Sequence, residues 1–246
     1  HRFVDFGDCF GVTIPNYRMS RLFEHDHYLN LGNLLLDTVT AGVIERPWQH
    51  GRGGVGETLG YFGAERFRPE EWAPGYPNPA FDARTEHDDA WMARILARFS
   101  PAHVRAAVSV GELSPRARRR LAEVLIERRR MILERYLTRL SPLAWPRSEG
   151  GHVCFEDMAV TAGVADASER EYAARLVMSE PLRPPDRLEV QAEAGPCVVL
   201  PEGLAYVAID VSSRSRGREP TLPVRAHVYD GAVYGLERLR EAGGPW

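Results

Sequence analysis

The 246-residue chain is 44% hydrophobic with a net charge of −3, apolar enough to bury one large core or two smaller ones. That charge balance offers no global basic field to nucleic acid, and no apolar run approaches the roughly 20 residues that a membrane-spanning helix needs. Cys9, Cys154 and Cys197 lie far apart without CxxC or Cys/His spacing, which predicts neither a zinc site nor a disulfide framework.

The first stretch, Phe3 to Gly11, runs an apolar pair into Asp5 and leaves through Gly7 and Gly11. It reads as a strand end delivering a carboxylate into a turn. In a kinase-like site, Asp-Phe-Gly holds magnesium against nucleotide phosphates, because a hard dication prefers oxygen ligands. Asp5 is thus the candidate metal ligand, with Phe6 and Gly7 at the nucleotide-binding turn; the competing reading is ordinary turn chemistry. All 31 basic residues are arginine, which removes a Schiff-base lysine, a P-loop lysine or a kinase phosphate-binding lysine from this chain. The chain starts at His1 rather than Met and shows no signal-peptide pattern, so it is expected to be processed or a piece of a longer protein.

Residues 12–23 suit a loop, and Tyr28 to Leu36 repeat at helical intervals, predicting a helix over about 27–41. Its flank, Glu24-His25-Asp26-His27, invites a metal reading, but residues two apart do not share a helix face; a solvated helix start is preferred. Gly51 to Gly56 satisfies GxGxxG, yet Pro47 and Trp48 precede it and Thr58 to Tyr61 follow, so a surface loop is preferred over a dinucleotide fingerprint. Residues 65–84 mix Pro69, Pro74, Pro77 and Pro79 with Phe67, Trp72, Tyr76 and Phe81, predicting an extended strap packed by its aromatics.

From Thr85 the helical pattern strengthens. Thr85 is the expected cap, Trp91, Met92, Ile95, Leu96 and Phe99 form one apolar face, and Pro101 opens a second short helix. Ser114-Pro115 starts the longest helix, expected to reach about Leu140. Its arginines are read as a solvated face balanced by Glu123, Glu127 and Glu134, with a grip on phosphate or an acidic partner as the alternative. Trp91, Leu96, Leu125, Ile132 and Leu137 are expected to be buried.

Pro142, Pro146 and Gly150-Gly151 mark a boundary, with a β-rich module expected after Gly151. A short helix is expected around Cys154 to Ala162. Beyond it, Tyr172 to Met178, Arg187 to Ala192, Leu204 to Val211 and Val224 to Tyr229 read as strands, and Tyr229-Asp230-Gly231-Ala232 as a hairpin turn before a return strand to Leu236. The fold class is α+β: residues 1–150 mainly helical, and residues 151–246 a small, sandwich-like β module.

Val4-Asp5-Phe6-Gly7, Tyr76-Pro77-Asn78-Pro79-Ala80-Phe81, Asp89-Ala90-Trp91-Met92-Ala93-Arg94, Leu125-Ile126-Glu127-Arg128-Arg129 and Tyr234-Gly235-Leu236-Glu237-Arg238 together resemble a group of uncharacterised bacterial proteins with an atypical protein-kinase-like fold. The resemblance covers most of the chain. It implies that the chain is the C-terminal part of such a protein, a kinase C-lobe-like region lacking its nucleotide-covering lobe, in which a His-Asp to Asn catalytic segment precedes the Asp-Phe-Gly equivalent. Phosphotransfer with Mg2+ and ATP is then expected of the full-length protein, with the N-terminal portion as partner and a protein or small molecule as substrate; this chain alone is expected to be inactive. A catalytically inactive binding or scaffold protein is the first alternative. A metal-dependent hydrolase using Asp5, Asp8, His25 and His27 is the second.

Overall fold

A computed structural model of the chain describes residues 30–44, 54–56, 59–61, 63–75, 77–192 and 195–239. The fold is α+β, with helices and antiparallel sheets. The chain divides into two compact units, residues 1–85 with 99–132, and residues 86–98 with 133–246.

In the first unit, α1 (Leu31–Val39) begins at Asn30, whose side chain accepts from the Asn33 amide at 3.2 Å. The glycine-rich segment does not stay a loop. Strands β1 (Gly54–Gly56) and β2 (Leu59–Tyr61) pair antiparallel, so among the described residues a strand, not the helix of a dinucleotide fingerprint, follows the glycines. The proline-rich strap folds into a 3-10 turn at Pro69–Glu71 and α2 (Pro79–Asp82), capped by Asn78. Trp72 packs on Phe81 with ring centroids 5.2 Å apart, and Arg84 Nη2 donates to the Trp72 carbonyl at 3.1 Å. Ser100 caps α4 (Pro101–Ser109) in a reciprocal box with His103. The long helix α5 (Pro115–Leu137) takes Ser114 as cap, its hydroxyl accepting from the Ala117 amide at 3.2 Å. Val108, Ala117, Leu121 and Ala122 form this unit's core.

The α5 arginines are not uniformly solvated. Arg120 with Glu123 and Arg130 with Glu127 do form exposed pairs one turn apart. Arg128 and Arg129 are buried instead. Arg128 donates through Nε to the Gly63 carbonyl at 2.7 Å and lays its guanidinium over the Phe67 ring at 4.5 Å, a stacked use of arginine inside the unit.

In the second unit, α3 (Glu86–Ala97) buries Ala90, Ala93, Arg94 and Ala97. These positions follow the i, i+3, i+4, i+7 stripe, so Trp91 falls about 100° away and is 60% exposed rather than buried. Leu96, Leu125 and Ile132 are half-buried, while Leu137 is fully enclosed. No strand interrupts residues 85–140.

The β module starts before the expected boundary, with β3 (Leu143–Glu149). Trp145 and Pro146 occupy a bulge against β4 (His152–Asp157), which is where an edge strand tolerates proline. The stretch read as a helix from Cys154 is strand as far as Asp157; only Met158–Thr161 (α6) is helical, capped by Asp157. The remaining strands are β5 (Arg170–Glu180), β6 (Arg187–Leu188), β7 (Val190–Gln191), β8 (Cys197–Val199), β9 (Tyr206–Ser215), β10 (Val224–Tyr229) and β11 (Ala232–Arg238). They form a five-stranded sheet in the order β11-β10-β9-β5-β6 and a four-stranded sheet in the order β3-β4-β8-β7. Val207, Ile209, Val211, Val224, Ala226 and Val228 from the first sheet share one core with Leu143, Val153, Phe155 and Val198 from the second, which makes the module a sandwich. Asp230 and Gly231 both take positive φ, 46° and 74°, as the tight turn between β10 and β11 demands. Cys154 and Cys197, against the expectation from spacing, are cross-strand partners on β4 and β8 and form a disulfide.

Candidate functional site on the five-stranded sheet

Because β9 and β10 alternate, Val207, Ile209, Val211 and Val224, Ala226, Val228 point into the core, and Tyr206, Asp210, Arg225, His227 and Tyr229 lie on the opposite face. Register then lines up four charges across four strands: Arg175 opposite Asp210, Asp210 opposite Arg225, and Arg225 opposite Glu237. Arg225 grips Asp210 with two parallel bonds, Nε to Oδ1 at 2.7 Å and Nη2 to Oδ2 at 3.1 Å. Arg175 approaches the same carboxylate at 3.6 Å, and Arg225 reaches Glu237 at 4.0 Å. The Asp210 side chain is 6% exposed, so the central pair is well shielded. Its hydrogen bonds and charge hold the Arg225 guanidinium above its usual range, against the opposing effect of burial.

Beside this ladder, the Tyr206 hydroxyl and His227 Nδ1 lie 2.8 Å apart, and His227 Nε2 is 3.5 Å from Glu237. The phenol donates when Nδ1 is unprotonated, which leaves the Nε2 proton facing the carboxylate. The two rings stack with their planes 24° apart. Register also sets Tyr229 opposite Tyr206. The bulge between His227 and Val228 moves the partner from Gly235 to Val233 and leaves Tyr234 as the extra residue, 88% exposed. Tyr229 is 55% exposed. Two tyrosines, a histidine, the bidentate Arg225 and the more exposed Arg175 thus stand on one sheet face. Chemically, the arrangement presents donors, acceptors and aromatic area to a surface laid against it.

Asp5, Phe6, Gly7, Asp8, His25 and His27 lie outside the described residues. Among the described residues, no group of three or more His, Cys, Asp or Glu side chains is placed to hold a metal, and no helix is long and apolar enough to cross a membrane. The ladder was missed because its members look like routine polar positions in alternating strands. The available signal was the alternation itself, which puts Asp210, Arg225 and His227 on the non-core face. No family model matches the chain, and no curated protein or solved structure matches it either.

Proposed function

We propose that the chain is a binding or scaffold protein whose β-sandwich contacts a protein partner through the outer face of the five-stranded sheet. The observation that carries this reading is the in-register ladder Arg175, Asp210, Arg225 and Glu237, which fixes the Arg225 guanidinium on a sheet face that also bears exposed Tyr229. Tyrosine and arginine dominate interface energetics more often than other residues, and groups already held in place lose less side-chain entropy on docking. Arg187 on β6 continues the row beyond Arg175, but Asp210 and Glu237 interleave with the guanidinium groups and the chain as a whole carries a net charge of −3, so a mixed polar protein surface suits this face better than nucleic acid. The test places a photo-crosslinking residue at Tyr229 of the intact protein in its own cells, with Glu149 on β3 as the control position. A discrete protein adduct at 229, absent at 149 and weakened by Arg225→Ala, is expected. Adducts equal at both positions, or none at 229, would contradict the proposal.

A second reading rests on Val4-Asp5-Phe6-Gly7 and the family resemblance it supports: Mg-ATP-dependent phosphotransfer by the full-length protein, with Asp5 as the magnesium ligand and Phe6 and Gly7 at the nucleotide. With no lysine in this chain, the phosphate-binding lysine would have to come from elsewhere in the full-length protein. Calorimetry of nucleotide binding by full-length wild type and Asp5→Asn, with and without magnesium, tests it. Loss of magnesium-dependent binding in a stably folded variant supports the role, and unchanged binding removes Asp5 from any such site.

A further inference from the structure

Two arginines from distant parts of the second unit converge on one backbone oxygen. Arg94 Nη1 on α3 donates to the Ser141 carbonyl at 3.3 Å. Arg238 Nη1, at the end of β11, donates to the same oxygen at 3.3 Å, and its Nη2 donates to the Leu143 carbonyl at 2.7 Å. Arg94 is 4% exposed. Among the described residues, neither guanidinium has a carboxylate partner. A peptide carbonyl carries only a partial charge, so two cations meet here with no neutralising group among the described residues, an arrangement that burial makes costly. Burial pushes Arg94 down to about 9, with the neighbouring Arg238 charge adding to the effect, and burial alone pushes Arg238 down to about 10.

The same residue supplies a third group. Ser141 Oγ is buried and has no hydrogen-bond partner among the described residues. Buried hydroxyls almost always have a partner, so an orphan on the residue whose carbonyl two guanidinium groups share points to a missing acceptor. Just past the end of α3, Arg98 sits over the Trp145 ring at 5.2 Å. Trp145 takes a φ of 49°, uncommon for a bulky residue, at the β3 bulge.

We infer that Arg94, Ser141 and Arg238 form a binding site for a phosphate-type oxyanion. A tetrahedral oxyanion accepts from donors arriving along separate directions, here from α3, the segment before β3 and the end of β11. A planar carboxylate matches the fork of a single guanidinium. The site is independent of the tyrosine-bearing sheet face and makes no use of it.

The test is thermal unfolding and calorimetry of the intact chain with inorganic phosphate, phenyl phosphate and acetate at constant ionic strength. Phosphate is expected to raise the melting temperature and acetate to leave it unchanged. A response to phosphate alone assigns the site to the free ion; a response to phenyl phosphate as well assigns it to a phosphate ester. Arg238→Gln is expected to weaken phosphate binding at least about tenfold. Ser141→Ala removes a hydroxyl without a partner, so the variant should be no less stable than wild type without phosphate, yet should gain less when phosphate is added. These two variants carry the test if Arg94→Gln fails to fold. Equal responses to phosphate and acetate, no response to phosphate, or wild-type phosphate binding in both variants would overturn the inference.

Discussion

Arg170 donates through Nε to Asp157 Oδ2 at 2.8 Å, and the two side chains are only 3% and 2% exposed. Asp157 also accepts from the Tyr172 hydroxyl at 3.0 Å and, through Oδ1, from the Ala159 amide at 2.9 Å at the start of α6. One carboxylate thus joins β4, β5 and the cap of α6. Asp157→Ala leaves Arg170 buried without its counter-charge and removes the cap, so a loss of about 3–5 kcal/mol is expected. Urea unfolding of the variant checks this, and a loss below about 1 kcal/mol would show that the network contributes little.

Tyr172 should make stability depend on alkaline pH. Burial first, and the Asp157 carboxylate second, push its hydroxyl well above the usual tyrosine range, while Arg170 acts in the opposite direction. An unfolded tyrosine releases its proton near pH 10, roughly the model-peptide value, whereas the folded protein retains it. Between those two values the folded state binds more protons, so stability falls as pH rises, by up to about 1.4 kcal/mol per pH unit. Below pH ~10 the contribution is fully present. Tyr172→Phe cannot titrate there, so its deficit against wild type should be constant from neutral pH to about 9 and shrink above about 10. Urea midpoints of both proteins across that range test the sign. A deficit that widens with alkalinity would reverse the assignment.

The Cys154–Cys197 bond closes a separation of 43 residues between β4 and β8. In the chain-entropy account, a loop of that length restricts the unfolded state enough to stabilise the fold by about 2–4 kcal/mol. Reduction should lower the urea midpoint of wild type by a corresponding amount, while Cys197→Ser should begin at the lower midpoint and ignore reductant. Equal midpoints for oxidised and reduced wild type would remove the bond from the stability of the sandwich.

Much of the sandwich was legible because β9 and β10 alternate Val, Ile and Ala with polar residues, and because Asp230-Gly231 favours the positive φ values of a tight hairpin. The start of the module was not. Pro142, Pro146 and the paired glycines read as a boundary before the module, yet Pro146 sits in a bulge on an edge strand, where the ladder does not need its missing amide proton. Trp91 misled for another reason: three alanines and Arg94 define the buried stripe of α3, so small side chains rather than the largest apolar one mark its inward face. The charge ladder stayed hidden in the β10–β11 register. A regular two-residue hairpin would set Arg225 opposite Leu236, and only the bulge at His227 brings it to Glu237. The Ser141 cluster was beyond sequence pattern altogether, since Arg94 looks like any helix arginine until Arg238, 144 positions later, arrives at the same carbonyl.

A partner seated on the five-stranded sheet would be revealed by hydroxyl-radical footprinting of the full-length protein inside its own cells and after purification. Tyr229 and Tyr234, 55% and 88% exposed, are the reporters, and Trp91, 60% exposed on α3, is the internal reference. A partner covering the sheet face lowers labelling of Tyr229 and Tyr234 in cells relative to Trp91, and the protection disappears on purification or with Arg225→Ala. The same labelling ratio of the tyrosines to Trp91 in cells and in the purified protein would contradict the account.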